Sequence, residues 1–522
     1  MPRLKQPKTL TKLALEGVGT FYEGVCHLAL STPREYVTEE GSEKESLKNR
    51  ISALQELLFT CVPWFHHDEL VNIIVDHSDV LIEKAKRRYQ NAISATNFVF
   101  EVHIVLGHAM VILYPGLKHL IISRYPKLMR DAVIHRLNAL QSLEVLDLGS
   151  GSGGWLTISL TTFVVNGLQH MPNLVSFTLN SDCSDDVLRS LGKHCPKLRH
   201  LDVYGSQHVT DQGLAWIIFC KELRSINLFR TSVEVPGLAL LLKELKYLQT
   251  LYRCNELGQV LEYMTGKYCN LTPLNLREFR CRDASQVQMK LLAKLCPNVE
   301  YVSLFHDDRI SDLGVLASLE NLKVLHLLSA DFYSDQVNLL LKRCGSRLSE
   351  LHMEHVDEID TFALMDIAQI CPNLTSLKFF NCEFHNYGTF QFRTFEIAPF
   401  QNLQQLVCVC DCDVEQTVFL LQHCYDIEEI ILGPHVGLND ECLSSTLQRN
   451  SMQKLTKFHM RHTNHLSLAS VYALIDTCPN LQSLTQLEGW NKISNEELEN
   501  LRAYIRSQNI DLDTNPGLHA IT

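Results

Sequence analysis

From residue 117 onward, apolar residues recur in a fixed frame. One apolar position is followed by a second three residues on and a third two residues later. Leu143, Leu146 and Leu148 show it, and so do Leu117, Leu120 and Ile122; Leu174, Phe177 and Leu179; Leu198, Leu201 and Val203; and Leu223, Ile226 and Leu228. It continues at Leu276, Phe279 and Cys281; Val299, Val302 and Leu304; Leu322, Leu325 and Leu327; Leu348, Leu351 and Met353; and Leu374, Leu377 and Phe379. Further copies begin at Leu403, Ile427, Leu455 and Leu481, with a weaker one at Leu248. That makes about fifteen copies, roughly 23 to 31 residues apart, a period typical of stacked strand-and-helix units. The alternation at the end of each frame predicts a short strand with its middle and last apolar residues facing inward.

Most frames have the same sequel. An apolar residue, then Ser, Thr or Asn, then Asp or Asn marks a turn: Val209-Thr210-Asp211, Ile310-Ser311-Asp312, Tyr333-Ser334-Asp335, Leu438-Asn439-Asp440 and Ile493-Ser494-Asn495. These side chains satisfy the free N–H groups of a helix start. An amphipathic helix follows, and four helices end in Cys-Pro, at Cys195, Cys296, Cys371 and Cys478. Proline cannot continue the helix, so the chain returns to a strand. A lone unit cannot bury its own leucines, whereas stacked units share one core.

The stretch CPKLRHLDVYGSQHVTDQGL, from Cys195 to Leu214, closely resembles the cysteine-containing class of leucine-rich repeats, and the resemblance runs from about Leu117 to the C-terminus. It implies an α/β leucine-rich-repeat solenoid, a horseshoe with parallel strands on the concave face and helices on the convex one. The expected division is a helical module over residues 1–110 and a solenoid of about fifteen repeats over 111–522, ending in a capping helix near 494–507. The cysteines then serve as small buried apolar residues at helix ends and strand turns.

One segment suggests different chemistry. Leu143–Leu156 reads LEVLDLGSGSGGWL, like the cofactor loop of S-adenosylmethionine-dependent methyltransferases, with Asp147, Gly149, Gly151 and Gly153 as contacts. Such a fold also wants an acidic residue about 20 residues on, at the end of the next strand. Gln169 and His170 stand there, and His170–Leu174 copies the Cys-Pro joint of the repeat. A glycine-rich loop between a repeat strand and its helix is the simpler reading, with a methyltransferase as a remote alternative.

Cys408-Val-Cys410-Asp-Cys412 has metal-like spacing, but the frame from Leu403 makes Cys408 its last buried position and leaves Cys410 and Cys412 to the turn beyond. No second ligand pair accompanies them, so buried thiols are expected and no metal site. His66-His67-Asp68-Glu69 reads as a solvated helix start. No nucleophile elbow, phosphate loop or HExxH motif occurs, so no catalysis and no cofactor is expected.

The first 110 residues lack the frame and read as helices, with a charged link over Thr32–Arg50. Thr9-Leu10 followed by Ala14 and Val18 resembles the elongin-binding box, although Ala14 stands where that motif has cysteine. Leu10, Ala14 and Val18 form an apolar stripe suited to a partner's groove. Val62-Pro63, then Glu69-Leu70 and Ile73, loosely resembles the start of an F-box or of a cullin-selecting box. These resemblances imply an adaptor surface at Leu10, Ala14, Val18, Pro63, Leu70 and Ile73. The adaptor would be elongin BC or SKP-type, with a cullin as a further partner, in a cullin–RING ubiquitin ligase. A ligase-independent scaffold is the alternative.

Composition narrows this further. The 522 residues carry a net charge of −12, which disfavours nucleic acid as a partner. No signal peptide is legible, so the 18 cysteines read as reduced thiols of a cytoplasmic or nuclear protein. The most apolar window, Phe98–Tyr114, carries Glu101, His103 and His108 and reads as a buried helix, not a membrane span. Strand residues between the buried positions face the concave side. The expected substrate-protein contacts there are Tyr204, Phe229, Tyr252, Arg280, Arg282, Phe305, His326, His352 and Phe380, beside His200, Asp202, Asn227, Tyr301, Ser303, Lys378, His459 and Arg461.

Overall fold

The structure, a computed structural model, describes residues 2–31, 40–89, 95–123, 125, 127–149, 160–252, 256–307, 309–385 and 399–515. It divides into two compact bodies, Pro7–Arg253 and Met1–Gln6 together with Cys254–Thr522.

The first body opens with four helices: α1 (Leu10–Ser31), α2 (Glu40–Cys61), α3 (His67–Tyr89) and α4 (Ala95–Ala109). α1 buries one stripe, Leu15, Gly19, Tyr22, Cys26 and Ala29, and packs on α3. Gly19 permits the close approach, since a Cβ there would sit 2.2 Å from the His77 ring. The Tyr22 hydroxyl meets Ser78 Oγ at 2.7 Å inside this core. Of the charged link expected over Thr32–Arg50, residues 32–39 lie outside the described residues, and Glu40–Arg50 belong to α2. Glu, Lys and Arg are good helix formers, and a charged run of them extends a helix as readily as it interrupts one. α4 is the buried helix expected from the apolar window; its Glu101 is 7% exposed and pairs with Arg88 Nη1 at 3.0 Å. No helix among the described residues is long and apolar enough to cross a membrane.

Six strands follow: β1 (His119–Ile121), β2 (Val145–Asp147), β3 (Ser176–Thr178), β4 (His200–Asp202), β5 (Ser225–Asn227) and β6 (Thr250–Tyr252). They pair parallel in chain order, with Leu120, Leu146, Phe177, Leu201, Ile226 and Leu251 in register as one buried row. The second body repeats the plan with β7 (Glu278–Cys281), β8 (Tyr301–Phe305), β9 (Val324–Asp331), β10 (Glu350–Asp357), β11 (Ser376–Glu383), β12 (Gln405–Asp411), β13 (Glu429–Leu432), β14 (Lys457–Met460) and β15 (Ser483–Thr485). Its spine runs through Leu325, Leu351, Leu377, Leu406, Ile430, Phe458 and Leu484, each fully buried. Burying each such side chain stabilises by about 1.5–3 kcal/mol. The outer edge of β15 is hydrogen-bonded by Asp513, whose carbonyl accepts from Leu484 N and whose N–H donates to Gln482 O. Beyond it the helix Asn495–Ser507, opened by a Ser494–Glu497 capping box, buries Leu498, Leu501 and Ile505.

The joints follow the sequence closely. Thr210, Asn439 and Ser494 cap their helices with side-chain oxygens, and Cys195, Cys296, Cys371 and Cys478 each close one. The Asp after the cap has a second task. Asp185 accepts from Thr210 N and Oγ1, Asp211 from Glu234 N, and Asp440 from Ser467 N and Oγ, each time reaching the start of the next coil's helix. Two joints depart from the rule. After Asp312 the chain makes only a 3-10 turn, Leu313–Ser318, and the helix after Tyr333-Ser334-Asp335 starts behind Gln336 at φ 59°. Of the 17 described cysteines, all but Cys61, Cys269 and Cys442 are buried.

Candidate functional site

The first exposed surface lies on α1. Away from its buried stripe, Leu10 is 85% exposed and Leu13 and Ala14 are exposed, while Val18, at the edge of that stripe, is half-buried. Of the expected stripe, Leu10 and Ala14 are therefore accessible and Val18 only in part. The other expected adaptor residues scatter: Pro63 is exposed, Ile73 is half-buried, and Leu70 is fully buried in the module's core. Beside Pro63 a short turn, Trp64–His66, holds Trp64 80% and Phe65 62% exposed. Sequence reasoning passed over these two; their signal was an aromatic pair directly after Val-Pro. The His-His-Asp-Glu run does start a helix. His66 Nδ1 pairs with Glu69, while His67 is held by Tyr114 OH and Val62 O at 3.0 Å each.

The second surface is the strand face of the first body. Asp147, Thr178, Asp202, Asn227 and Tyr252 are successive register partners across it. Three of them end their strands alike: Asp147 Oδ1 accepts from Gly149 N, Asp202 Oδ1 from Tyr204 N and Asn227 Oδ1 from Phe229 N, all at 3.0–3.1 Å. Asp147 also accepts from Ser123 Oγ at 2.7 Å; burial still raises its carboxyl above the ordinary range. Asp147 thus repeats a position filled by Asp202 and Asn227 in coils without a glycine-rich loop, which gives it a structural task. The strands run in chain order, without the reversal at which doubly wound sheets bind nucleotides. Gly151 and Gly153 lie outside the described residues. Tyr204 and Phe229 stack, with centroids 5.7 Å apart and 18° between planes, and Arg230 joins them through the Tyr204 hydroxyl at 3.2 Å. Tyr252 is 37% exposed. At His200, burial and then Arg224 and Arg199 lower the pKa of the ring.

The third surface is the strand face of the second body. The Arg280 guanidinium lies 4.3 Å from the Tyr301 ring centre, Arg282 is exposed, and Phe305 is 36% exposed. Lys378 pairs with Glu350 at 2.7 Å. His326 and His352 stack at 3.7 Å and 9°, and Phe380 adjoins His352 at 5.0 Å. Burial, reinforced by His352 beside one ring and Lys378 beside the other, lowers both histidines to about 4, so both are neutral at pH 7. His459 proves buried, tied to Thr485 Oγ1, and is not open to a partner; Arg461 is exposed. The repeat frame leaves Cys410 to a turn, but β12 runs on to Asp411 and includes it, because the strands of these central coils are longer than the frame. Cys408, Cys410 and Cys412 are all buried, with Cys408 and Cys412 Sγ atoms 3.8 Å apart. Among the described residues, the group of three donor side chains spaced for a metal is elsewhere: His326, His352 and Glu354.

No family model matches the chain. A curated relative, F-box/LRR-repeat protein 4 of Bos taurus, is 28% identical over 152 residues, covering 29% of this chain and 23% of that protein. The chain thus spans under a quarter of the length of that relative. Among solved structures, the yeast Rad7 and Elc1 complex is similar at 14% identity and TM-score 0.43, over 88% of this chain and 95% of that one. A Leptospira interrogans LRR protein is similar at 15% identity and TM-score 0.35, over 77% and 93%. The fifteen described strands, paired parallel through one leucine register in each body, decide the matter. Each body has the leucine-rich-repeat fold.

For a leucine-rich-repeat fold these strand faces have a mixed character. Tyr252, Arg282 and Phe305 are exposed, while Tyr204, Phe229, Arg280, His326, His352 and Phe380 are half-buried along the ladder. Stacked rings held by neighbours lose little further freedom on contact, which suits anchors for another protein.

Proposed function

We propose that this protein is the non-catalytic substrate-recognition subunit of a cullin–RING ubiquitin ligase. Its helical module, residues 1–110, engages an elongin BC or SKP-type adaptor, and its strand faces hold a substrate protein in a cytoplasmic or nuclear setting. The observation that carries this reading is the apolar row of Leu10, Ala14 and Val18, accessible at Leu10 and Ala14, on a helix whose other side is already packed. A folded helix with two apolar sides calls for a second partner. The exposed Trp64 and Phe65 add aromatic contact area to the same module. The curated relative, named for an F-box and leucine-rich repeats, is in keeping with it.

The test is co-purification of the full chain with elongin BC, SKP-type adaptor and cullin. Leu10→Ser combined with Ala14→Asp, both at exposed positions, should abolish adaptor capture while leaving the melting temperature unchanged. Capture of neither adaptor by the unaltered chain would leave the scaffold reading in its place. Separately, replacing Tyr204, Phe229 and Phe305 together by Ser should remove substrate capture and spare adaptor binding. Unchanged capture would exclude the strand faces as the substrate site.

A further inference from the structure

His326 on β9 and His352 on β10 are register partners, and Glu354 follows two residues along β10. Strand alternation puts all three on one face. One donor atom from each lies within 4.8 Å of the other two. Glu354 Oε2 is 3.6 Å from His326 Nε2, too far for a hydrogen bond. The Nε2 atoms of both rings are closed to solvent and have no hydrogen-bond partner. A buried polar atom without a partner is uncommon and calls for an explanation, of which an ion is one. Ser303 Oγ lies 3.2 Å from His326 Nδ1. With the ring proton held there, Nε2 keeps its lone pair, the arrangement by which neighbouring groups orient metal-bound histidines.

We propose that His326, His352 and Glu354 form a binding site for a divalent transition-metal ion of the zinc class. Two imidazoles and a carboxylate suit zinc, whose ligand distances are about 2.0–2.2 Å. They supply too few oxygens for calcium or magnesium. Binding draws the three donors inward and turns the rings out of their parallel stack about χ2, a broad and soft torsion. Three protein ligands leave a fourth position for water or for a side chain of a bound protein. The site stands on this geometry and does not depend on the ligase reading.

The test uses the full chain with Cys61 and Cys269, its exposed described thiols, replaced by Ser, stripped with a chelator and titrated with Zn²⁺ against a chromophoric competitor. A single competitor-resistant equivalent is expected. It should vanish in His352→Gln, and its affinity should fall by at least about tenfold in Glu354→Gln and in Ser303→Ala. Co²⁺ at the same site should give the absorption of a tetrahedral ion, lost in His352→Gln. Glu354 is a third exposed at its side chain, so Glu354→Gln should keep its melting temperature and report ligation apart from folding. Equal zinc stoichiometry and affinity in the unaltered chain and in His352→Gln, or no bound equivalent in either, overturns the site and leaves a stack of neutral imidazoles.

Discussion

Replacing Asp440 by Ala should loosen the start of the next coil without touching the core. Asp440 Oδ1 accepts from Ser467 N at 2.9 Å and Ser470 Oγ at 2.6 Å, and Oδ2 accepts from Ser467 Oγ at 2.9 Å. Ser467 is itself the cap of the helix Leu468–Thr477. Hydrogen bonds to a charged group contribute about 1.5–3 kcal/mol each when sheltered. Asp440 is half-exposed and the half-buried Ser467 hydroxyl can turn to water, whereas Ser470 is only 2% exposed and would lose its partner, so the expected loss is about 2–3 kcal/mol for all three together. Burial raises the Asp440 carboxyl pKa, but the bonds from Ser470 and Ser467 outweigh that and hold it below its ordinary value of 3.8. A depressed carboxyl stabilises above its unfolded pKa and loses that contribution as pH falls through its folded one. The unaltered protein should therefore lose the difference from Asp440→Ala in the acid range below about pH 4. Two measurements check this: hydrogen exchange at Ser467 N–H, and denaturant unfolding followed by the buried Trp490, whose Nε1 donates to Met460 O. A double-mutant cycle with Ser470→Ala should show coupling above about 0.5 kcal/mol. Unchanged exchange at Ser467 together with additive effects would refute the idea that this carboxylate clamps neighbouring coils.

Leu377→Ala, at a fully buried position of β11, should cost about 2–5 kcal/mol, read as a lower unfolding midpoint. Gly192→Ala should lower the melting temperature, since its Cβ would lie 2.2 Å from the Trp216 carbonyl oxygen. Gly17→Ala has nothing within 4 Å and should raise helix stability by about 0.5–1 kcal/mol, so the pair separates close packing from helix propensity.

The fold was legible because its periodicity is carried by the residues that must be buried. Leu146, Phe177 and Leu201 announce their strands by spacing alone, and the structure stacks them in that register. Thr210, Asn439 and Ser494 were legible as caps because capping is a local matter of one side chain and the next turn. The clamp made by Asp185, Asp211 and Asp440 was not, because its partner lies a whole repeat away. Strand length was missed for a related reason. β9, β10 and β11 each run eight residues, and Cys410 joins β12, through pairing with neighbouring coils that a single frame does not display. The strand-face residues were found by alternation, but alternation says only which way a side chain points. Whether Tyr204 or His326 is then free or stacked depends on what the adjacent coil places beside it.

Asp513 closing the far rim of β15 has a consequence for how these molecules behave in a crowd. A stack of identical rungs has no inherent reason to stop, because each rung offers the next the same row of amides and the same greasy floor. The Asp513 main chain and the Asn495–Ser507 helix end that series, and a molecule stripped of them would be expected to offer its bared edge to any extended strand nearby and to aggregate.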